Sequence, residues 1–112
     1  MRKIEFQAKR TDNGEWVRGC YDCNGATFNC VVDSSTISEC TGERDKNLNM
    51  IFENHIVKYS NIIGVVIFNG GCFCIKDTKA KNCPAIDLVL NKYGNKVEII
   101  GNIFDNTELL VV

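Results

Sequence analysis

Reversal signals recur along this chain at short intervals. Asp12-Asn13-Gly14, Asn24-Gly25, Thr41-Gly42, Glu53-Asn54 and Asn69-Gly70-Gly71 punctuate its first two-thirds. Asparagine and glycine tolerate the positive backbone φ that tight reversals need, so the runs between these points read as strands of hairpins. From Arg2 to Ala8 the residues alternate, with Ile4, Phe6 and Ala8 on one face and Lys3, Glu5 and Gln7 on the other, as a half-buried strand requires. Glu15 to Tyr21 then reads as the returning arm, with Trp16 anchoring one face. Thr27 to Val32 is rich in β-branched and aromatic residues and reads as a third strand. Thr36 to Cys40 is a short, polar extended segment.

The stretch from Thr41 to Tyr59 is the most organised. A turn at Thr41-Gly42 leads into a charged loop over Glu43 to Asn47. Met50 to Phe52 is a short apolar run, Glu53-Asn54 a second turn, and Ile56 to Tyr59 a strand. Ile62 to Phe68 is apolar apart from Gly64, which predicts a strand buried on both faces. Asn69-Gly70-Gly71 closes it as a hairpin onto Cys72 to Lys76, and Asp77 to Asn82 reads as an exposed loop. The period then changes. Ile86, Val89, Leu90 and Tyr93 fall at helical spacing, with Pro84 suited to a first turn and Gly94 to the residue just past the end, so one short helix is expected. Lys96 to Phe104 returns to strand, with Gly101 marking a bulge or a close approach. Asn106 is placed to cap a terminal turn over Thr107 to Leu110.

These readings predict a mainly β, single domain spanning residues 1–112. A chain of 112 residues can bury about two-thirds of its unfolded surface around one core without covalent staples. Thirteen Lys and Arg against fourteen Asp and Glu leave a net charge of −1, so the long-range field that draws a protein to phosphate backbones is weak. Seven cysteines form an odd set, and the N-terminal MRKIEFQAKR has no apolar leader core, so a reducing cytoplasm is expected. The longest apolar stretches, Val65 to Phe68 and Leu109 to Val112, fall far short of the roughly twenty residues that cross a bilayer. No membrane span is expected.

Three blocks of the sequence resemble the YopX family of small proteins encoded by bacteriophages and prophages. The first is the N-terminal hairpin, with Ile4, Phe6 and Ala8, then Trp16-Val17 and Gly19. The second is Thr41-Gly42, Asp45-Lys46-Asn47, Ile51-Phe52, Glu53 and Ile56-Val57. The third runs from Val97 to Asn106 and on through Glu108-Leu109-Leu110. The family's usual Glu-Gly-Asp turn is Glu53-Asn54-His55 here, and Asn54 can keep the turn while His55 cannot inherit a role from the aspartate. The asparagine-glycine common after aspartate-lysine is Asn47-Leu48, and Thr107 stands where a proline is common. The resemblance implies a largely β fold with barrel-like antiparallel packing, a phage or prophage origin and a bacterial cytoplasm. It supplies no biochemical activity.

Several residues offer chemistry beyond what a fold requires. Cys20-Tyr21-Asp22-Cys23 is half of a four-ligand zinc pattern, with Cys30, Cys40, Cys72, Cys74, Cys83 and His55 elsewhere, but the second half is missing. Cys72 and Cys74 in a strand would share a face, where sulfurs can ligate or simply pack. His55 is the single histidine, and no triad, nucleophile elbow or phosphate loop accompanies it. Asp45 and Glu53 read as solvated turn residues. Lys76, Lys79 and Lys81, with Tyr21, Phe28, Tyr59 and Phe73 as exposed aromatics, would suit single-stranded nucleic acid if they shared a face.

The sequence therefore assigns no catalytic, cofactor-binding or metal-binding residue and expects a non-enzymatic binding domain. Its partner would be a host or phage protein. A nucleic-acid-binding β module is the alternative, and a Cys-His or metal-dependent enzyme a more distant one. Unpaired sheet edges offer a route to homo-oligomers.

Overall fold

Hydrogen bonding in the computed structural model, which describes residues 4–22, 25–69, 71–77, 87–89 and 96–110, joins ten strands into two antiparallel sheets. The strands are β1 (Ile4–Lys9), β2 (Trp16–Asp22), β3 (Gly25–Thr27), β4 (Ser38–Arg44), β5 (Met50–Phe52), β6 (His55–Tyr59), β7 (Ile62–Asn69), β8 (Cys72–Asp77), β9 (Asp87–Val89) and β10 (Glu98–Asn102). One sheet runs in the order β3-β2-β1-β4-β5 and the other β10-β6-β7-β8-β9. The mainly β architecture expected from the alternating pattern is present. Its barrel-like aspect is corrected: among the described residues neither sheet closes, and β3, β5, β9 and β10 remain outer strands.

The chain forms two compact units, Met1–Cys40 and Thr41–Val112. In the first, β1 and β2 make the expected hairpin, in register from Ile4 opposite Tyr21 to Lys9 opposite Trp16. Ala8 is fully buried, whereas Trp16 is half-buried on the other face with the Lys9 ammonium 5.9 Å from its ring centroid. The third strand lies earlier than Thr27 to Val32. It is Gly25–Thr27, paired with β2, and Val32 makes only an isolated bridge to Arg10. Asp33 then starts a 3₁₀ turn over Ser34–Thr36 by accepting from Ser35 N. Thr36 Oγ1 accepts from Lys9 N at 2.8 Å and ties this turn to β1.

β4 carries the chain into the second unit, and here Thr41-Gly42 is not the turn its residues suggest. The strand continues to Arg44 because Gly42 takes a left-handed conformation (φ 82°) within it. Thr41 Oγ1 bridges the irregularity, donating to Ile51 O at 2.7 Å and accepting from Glu43 N at 3.1 Å. A side-chain hydroxyl thus replaces ladder bonds that the distorted backbone cannot make.

The second unit is organised around Ile51, Val57, Val66, Ile75 and Val97, all at most 1% exposed, with Tyr59, Phe73 and Ile99 packed against them. Burial of each of these aliphatic side chains contributes about 1.5–3 kcal/mol. Residues opposite one another across β6, β7 and β8 supply it: Val57 faces Gly64, and Val66 faces Ile75. Gly64 is required by that arrangement, since a Cβ there would lie 2.5 Å from Ile75 Cγ2 and 2.8 Å from Lys76 O. β7 is not buried on both faces as its composition suggests. Ile63, Val65 and Ile67 are half-buried on the face away from Val66, and Phe68 is 55% exposed.

The β7–β8 hairpin forms as expected, with Asn69 opposite Cys72 and Gly71 at φ 86°. The helix expected between Pro84 and Gly94 is corrected where the structure describes it. Asp87–Val89 is extended and pairs with β8, Leu88 opposite Ile75. The rest of that segment, with Asn82, Lys79 and Lys81, lies outside the described residues. β10 has the anticipated irregularity: its register against β6 shifts between Ile99 and Gly101. A Cβ on Gly101 would sit 2.9 Å or less from three Asn106 side-chain atoms, so close packing accounts for the glycine too.

Candidate functional site

The central block of the sequence folds into a knot of polar side chains around Asp45. β4 and β5 are joined by Asp45 to Asn49, and Asp45 N–H donates to Asn49 O at 2.9 Å to close the loop. Leu48 supplies the reversal at φ 67°, the conformation for which the family commonly uses glycine. The turn is therefore kept despite the substitution. Asp45 is only 1% exposed, which corrects its reading as a solvated turn residue. Its Oδ1 accepts from Asn47 N at 2.9 Å and Asn49 N at 2.8 Å, while Oδ2 accepts from Ile99 N at 3.1 Å.

The bond to Ile99 joins residues 54 apart in sequence. Lys46 N donates to Val97 O at 2.9 Å on the same side of β10. The loop therefore occupies the edge of β10 as another strand would, with the Asp45 carboxylate standing where a neighbouring carbonyl would accept. Burial works to raise the Asp45 pKa, but the N–H donors of Asn49, Ile99 and Asn47 outweigh it, and the carboxyl is held below its ordinary value. Lys46 Nζ lies 2.9 Å from Glu98 Oε2 across the same junction. Both side chains are well exposed, so this pair adds little.

His55 opens β6 just after the Glu53-Asn54 turn, where Asn54 takes the expected positive φ (73°). The imidazole is part-buried against Phe52, ring centroids 5.9 Å apart and edge-on. Its Nδ1 accepts from Phe52 N at 2.9 Å, which requires an unprotonated Nδ1. Burial pushes its pKa down to about 4, against a smaller upward pull from the Asp45 carboxylate. A neutral imidazole whose Nδ1 is engaged by the backbone is a turn clamp. None of its hydrogen bonds among the described residues goes to a thiol.

The closing motif is likewise turned inward. The terminal turn over Thr107–Leu110 forms, with Leu109 N donating to Asn106 O. The carboxamide of Asn106 points backwards, Oδ1 accepting from Asn102 N at 3.1 Å. Asn102 Oδ1 accepts in turn from Phe104 N and Asp105 N, both at 2.9 Å. No buried side-chain nitrogen or oxygen among the described residues lacks a partner.

The other candidates separate. Cys20 is half-buried in β2, and Cys23 lies outside the described residues, as does Cys83. Cys30 is half-buried and Cys40 buried. Cys72 and Cys74 share a face as their spacing predicts, with sulfurs 3.6 Å apart. No group of three or more His, Cys, Asp or Glu side chains able to hold a metal occurs among the described residues. Of the aromatics, Tyr59 and Phe73 pack against the core cluster and Phe28 is half-buried, while the side chain of Tyr21 is outside the description. Lys76 is exposed on β8. No helix among the described residues is long and apolar enough to cross a membrane.

The signal for Asp45 was present in the sequence as the Asp-Lys-Asn motif, but the motif does not reveal which strand its carboxylate reaches. No curated protein matches this chain. The family model described as YopX protein matches residues 2–111, nearly its whole length and all three blocks that carry the resemblance. The chain belongs to the YopX family.

Proposed function

We propose that this YopX-family chain is a non-enzymatic accessory protein of a phage or prophage, acting in the bacterial cytoplasm by binding another macromolecule. The observation that carries this reading is the use made of the motif's polar groups. The Asp45 carboxylate, the His55 Nδ1, the Thr41 hydroxyl and the Asn106 carboxamide each bond to the chain's own backbone. A general base needs a lone pair aimed at substrate, and a nucleophile needs a base within hydrogen-bond reach. Groups already committed to holding turns serve the scaffold that presents a surface.

The nucleic-acid alternative loses support from the inward packing of Tyr59 and Phe73, the aromatics that would have to stack on bases. Its remaining exposed cation on β8 is Lys76 among the described residues.

The test is capture on the immobilised protein from bacteria in which the prophage has been induced. Each captured species is then purified and re-tested for direct binding by calorimetry, beside labelled single-stranded oligonucleotides. A stoichiometric complex with one purified protein is the expected result. Direct, salt-dependent binding of oligonucleotide would transfer the reading to the alternative, and turnover of a substrate lost in His55→Gln would overturn both.

A further inference from the structure

We infer that Cys72 and Cys74 are a redox switch: hydrogen peroxide joins them in a disulfide, and the closure displaces the Phe73 ring on the opposite face of β8. The inference goes beyond the binding role proposed above and does not depend on it. β8 places the two thiols two residues apart in an extended strand, so both project from one face, with their sulfurs 3.6 Å apart. Cys72 is half-buried and within reach of solvent, whereas Cys74 is buried, at 5% exposure. One sulfur can therefore meet the oxidant while the other waits beside it to resolve the product.

The Cys72 thiolate attacks one peroxide oxygen and breaks the O–O bond. Cys72 becomes a sulfenic acid, and the departing hydroxide takes up the proton that the thiol gave up and leaves as water. The Cys74 sulfur then attacks Cys72 Sγ. The S–S bond forms as the S–O bond breaks, and the Cys74 proton leaves with that oxygen as a second water. Two thiols and one peroxide become one disulfide and two waters, the two electrons passing from sulfur to oxygen. Cellular thiols return the pair by exchange, being oxidised to their own disulfide as they do so.

Closure has a mechanical consequence. Two residues of extended strand span about 6.8 Å, at the long end of the Cα separation a disulfide allows and about 1 Å beyond its usual value. β8 must therefore pucker, and its two ends are not equally free to move. Cys74 is paired on both sides, with Ile67 of β7 and Val89 of β9, whereas among the described residues Cys72 is paired with Asn69 of β7 alone. Cys72 also follows directly on Gly71, around which even an added Cβ would meet nothing within 4 Å. The movement falls at the hairpin end. Phe73, between the two cysteines, projects from the other face, where it packs against the core cluster and meets Phe68 edge-on with ring centroids 5.1 Å apart. Phe68 is 55% exposed, so the pucker carries an internal redox change to a surface aromatic.

The test uses the full chain, reduced with a phosphine, freed of it and treated with an equivalent of hydrogen peroxide. Remaining thiols are alkylated in denaturant and the chain is cut with trypsin. The peptide from Tyr59 to Lys76 holds Cys72 and Cys74 and no other cysteine. It should return unalkylated and two hydrogens lighter than its reduced form, and should regain both alkyl groups when reductant precedes alkylation. In Cys74→Ser the sulfenic acid on Cys72 should persist and be trapped by dimedone. If that buried variant does not fold, Cys72→Ser carries the decision: its peptide should then keep an alkylatable Cys74. In the wild-type chain the Phe68 and Phe73 ring signals should shift by NMR between the reduced and oxidised forms. A peptide that returns with both thiols alkylated while Cys20 or Cys30 is oxidised overturns the assignment. So does Cys72 driven to sulfinic acid beside a reduced Cys74, and unmoved rings in the presence of the disulfide overturn the switch.

Discussion

Replacing Asp45 by alanine removes three hydrogen bonds to a buried carboxylate, from Asn47 N, Asn49 N and Ile99 N. A bond to a charged acceptor contributes about 1.5–3 kcal/mol net, and a buried donor left without one costs about 1–3 kcal/mol. Simple summation overstates the loss, because the three share one carboxylate and its own desolvation is recovered on deletion. Residues Lys46 to Asn49 are exposed, so the carboxylate lies one layer beneath solvent and water can reach part of the opened site. The lower end of the range applies, and Asp45→Ala should destabilise the protein by about 3 kcal/mol. Against the roughly 5–15 kcal/mol that holds a small domain together, that is a large share. Asp45→Asn should cost less, about 2 kcal/mol, because its single oxygen can still serve Asn47 and Asn49 while its NH2 opposes Ile99 N–H. Equilibrium urea unfolding at neutral pH measures both. Hydrogen exchange locates the effect: the Ile99 amide should lose protection first in either variant. The depressed carboxyl pKa fixes the sign of the acid response. Its contribution is present above the ordinary aspartate range and is lost as pH falls through the folded-state value, so Asp45→Asn should flatten that limb. An Asp45→Ala variant within about 0.5 kcal/mol of wild type, with Ile99 still protected, would refute the account of the β10 edge.

His55 supplies a second acid response at higher pH. Its folded pKa of about 4 lies below the ordinary 6.5, so the unfolded chain takes the proton first. Stability should be full above about pH 6.5, fall by up to about 3 kcal/mol towards pH 4 and then level off, a slope that His55→Gln removes. As the single histidine, it gives one imidazole signal by NMR, and titration near 6.5 would contradict its burial. Gly64→Ala should cost about 3 kcal/mol in urea unfolding, because the new methyl meets Lys76 O as well as the Ile75 side chain, and backbone cannot move aside cheaply. Leu48→Gly should raise stability by about 0.5–1 kcal/mol: relief of the left-handed strain exceeds glycine's entropy cost, and a side chain 73% exposed surrenders little burial. A lowered thermal midpoint for this variant would show that Leu48 makes packing contacts that matter more than its backbone.

Where local chemistry decides, the sequence was readable. The β1–β2 and β7–β8 hairpins, the positive φ at Asn54 and the bulge at Gly101 follow from alternation and from which residues tolerate a left-handed backbone. Where two local signals compete, it misled. Gly42 reads as a turn but sits inside β4, because Thr41 Oγ1 and pairing with β5 carry the strand through. Val89 belongs to the helically spaced set Ile86, Val89, Leu90 and Tyr93, yet Asp87 to Val89 extends against β8, whose Cys74, Ile75 and Lys76 offer it a ladder. The half-exposed face of β7 was hidden for a related reason. An unbroken apolar run cannot say which of its faces will be covered.

The amino-acid order by itself determined the all-β class, most strand and turn positions, the shared face of Cys72 and Cys74, and the YopX resemblance. All of these rest on spacings of a few residues. Only the tertiary structure decided that Asp45 is buried on the edge of β10, that His55 is neutral against Phe52, and that the two sulfurs of β8 lie 3.6 Å apart. Burial and long-range hydrogen bonds depend on which distant segment arrives alongside. For Asp45 that segment is Ile99, 54 residues further along the chain.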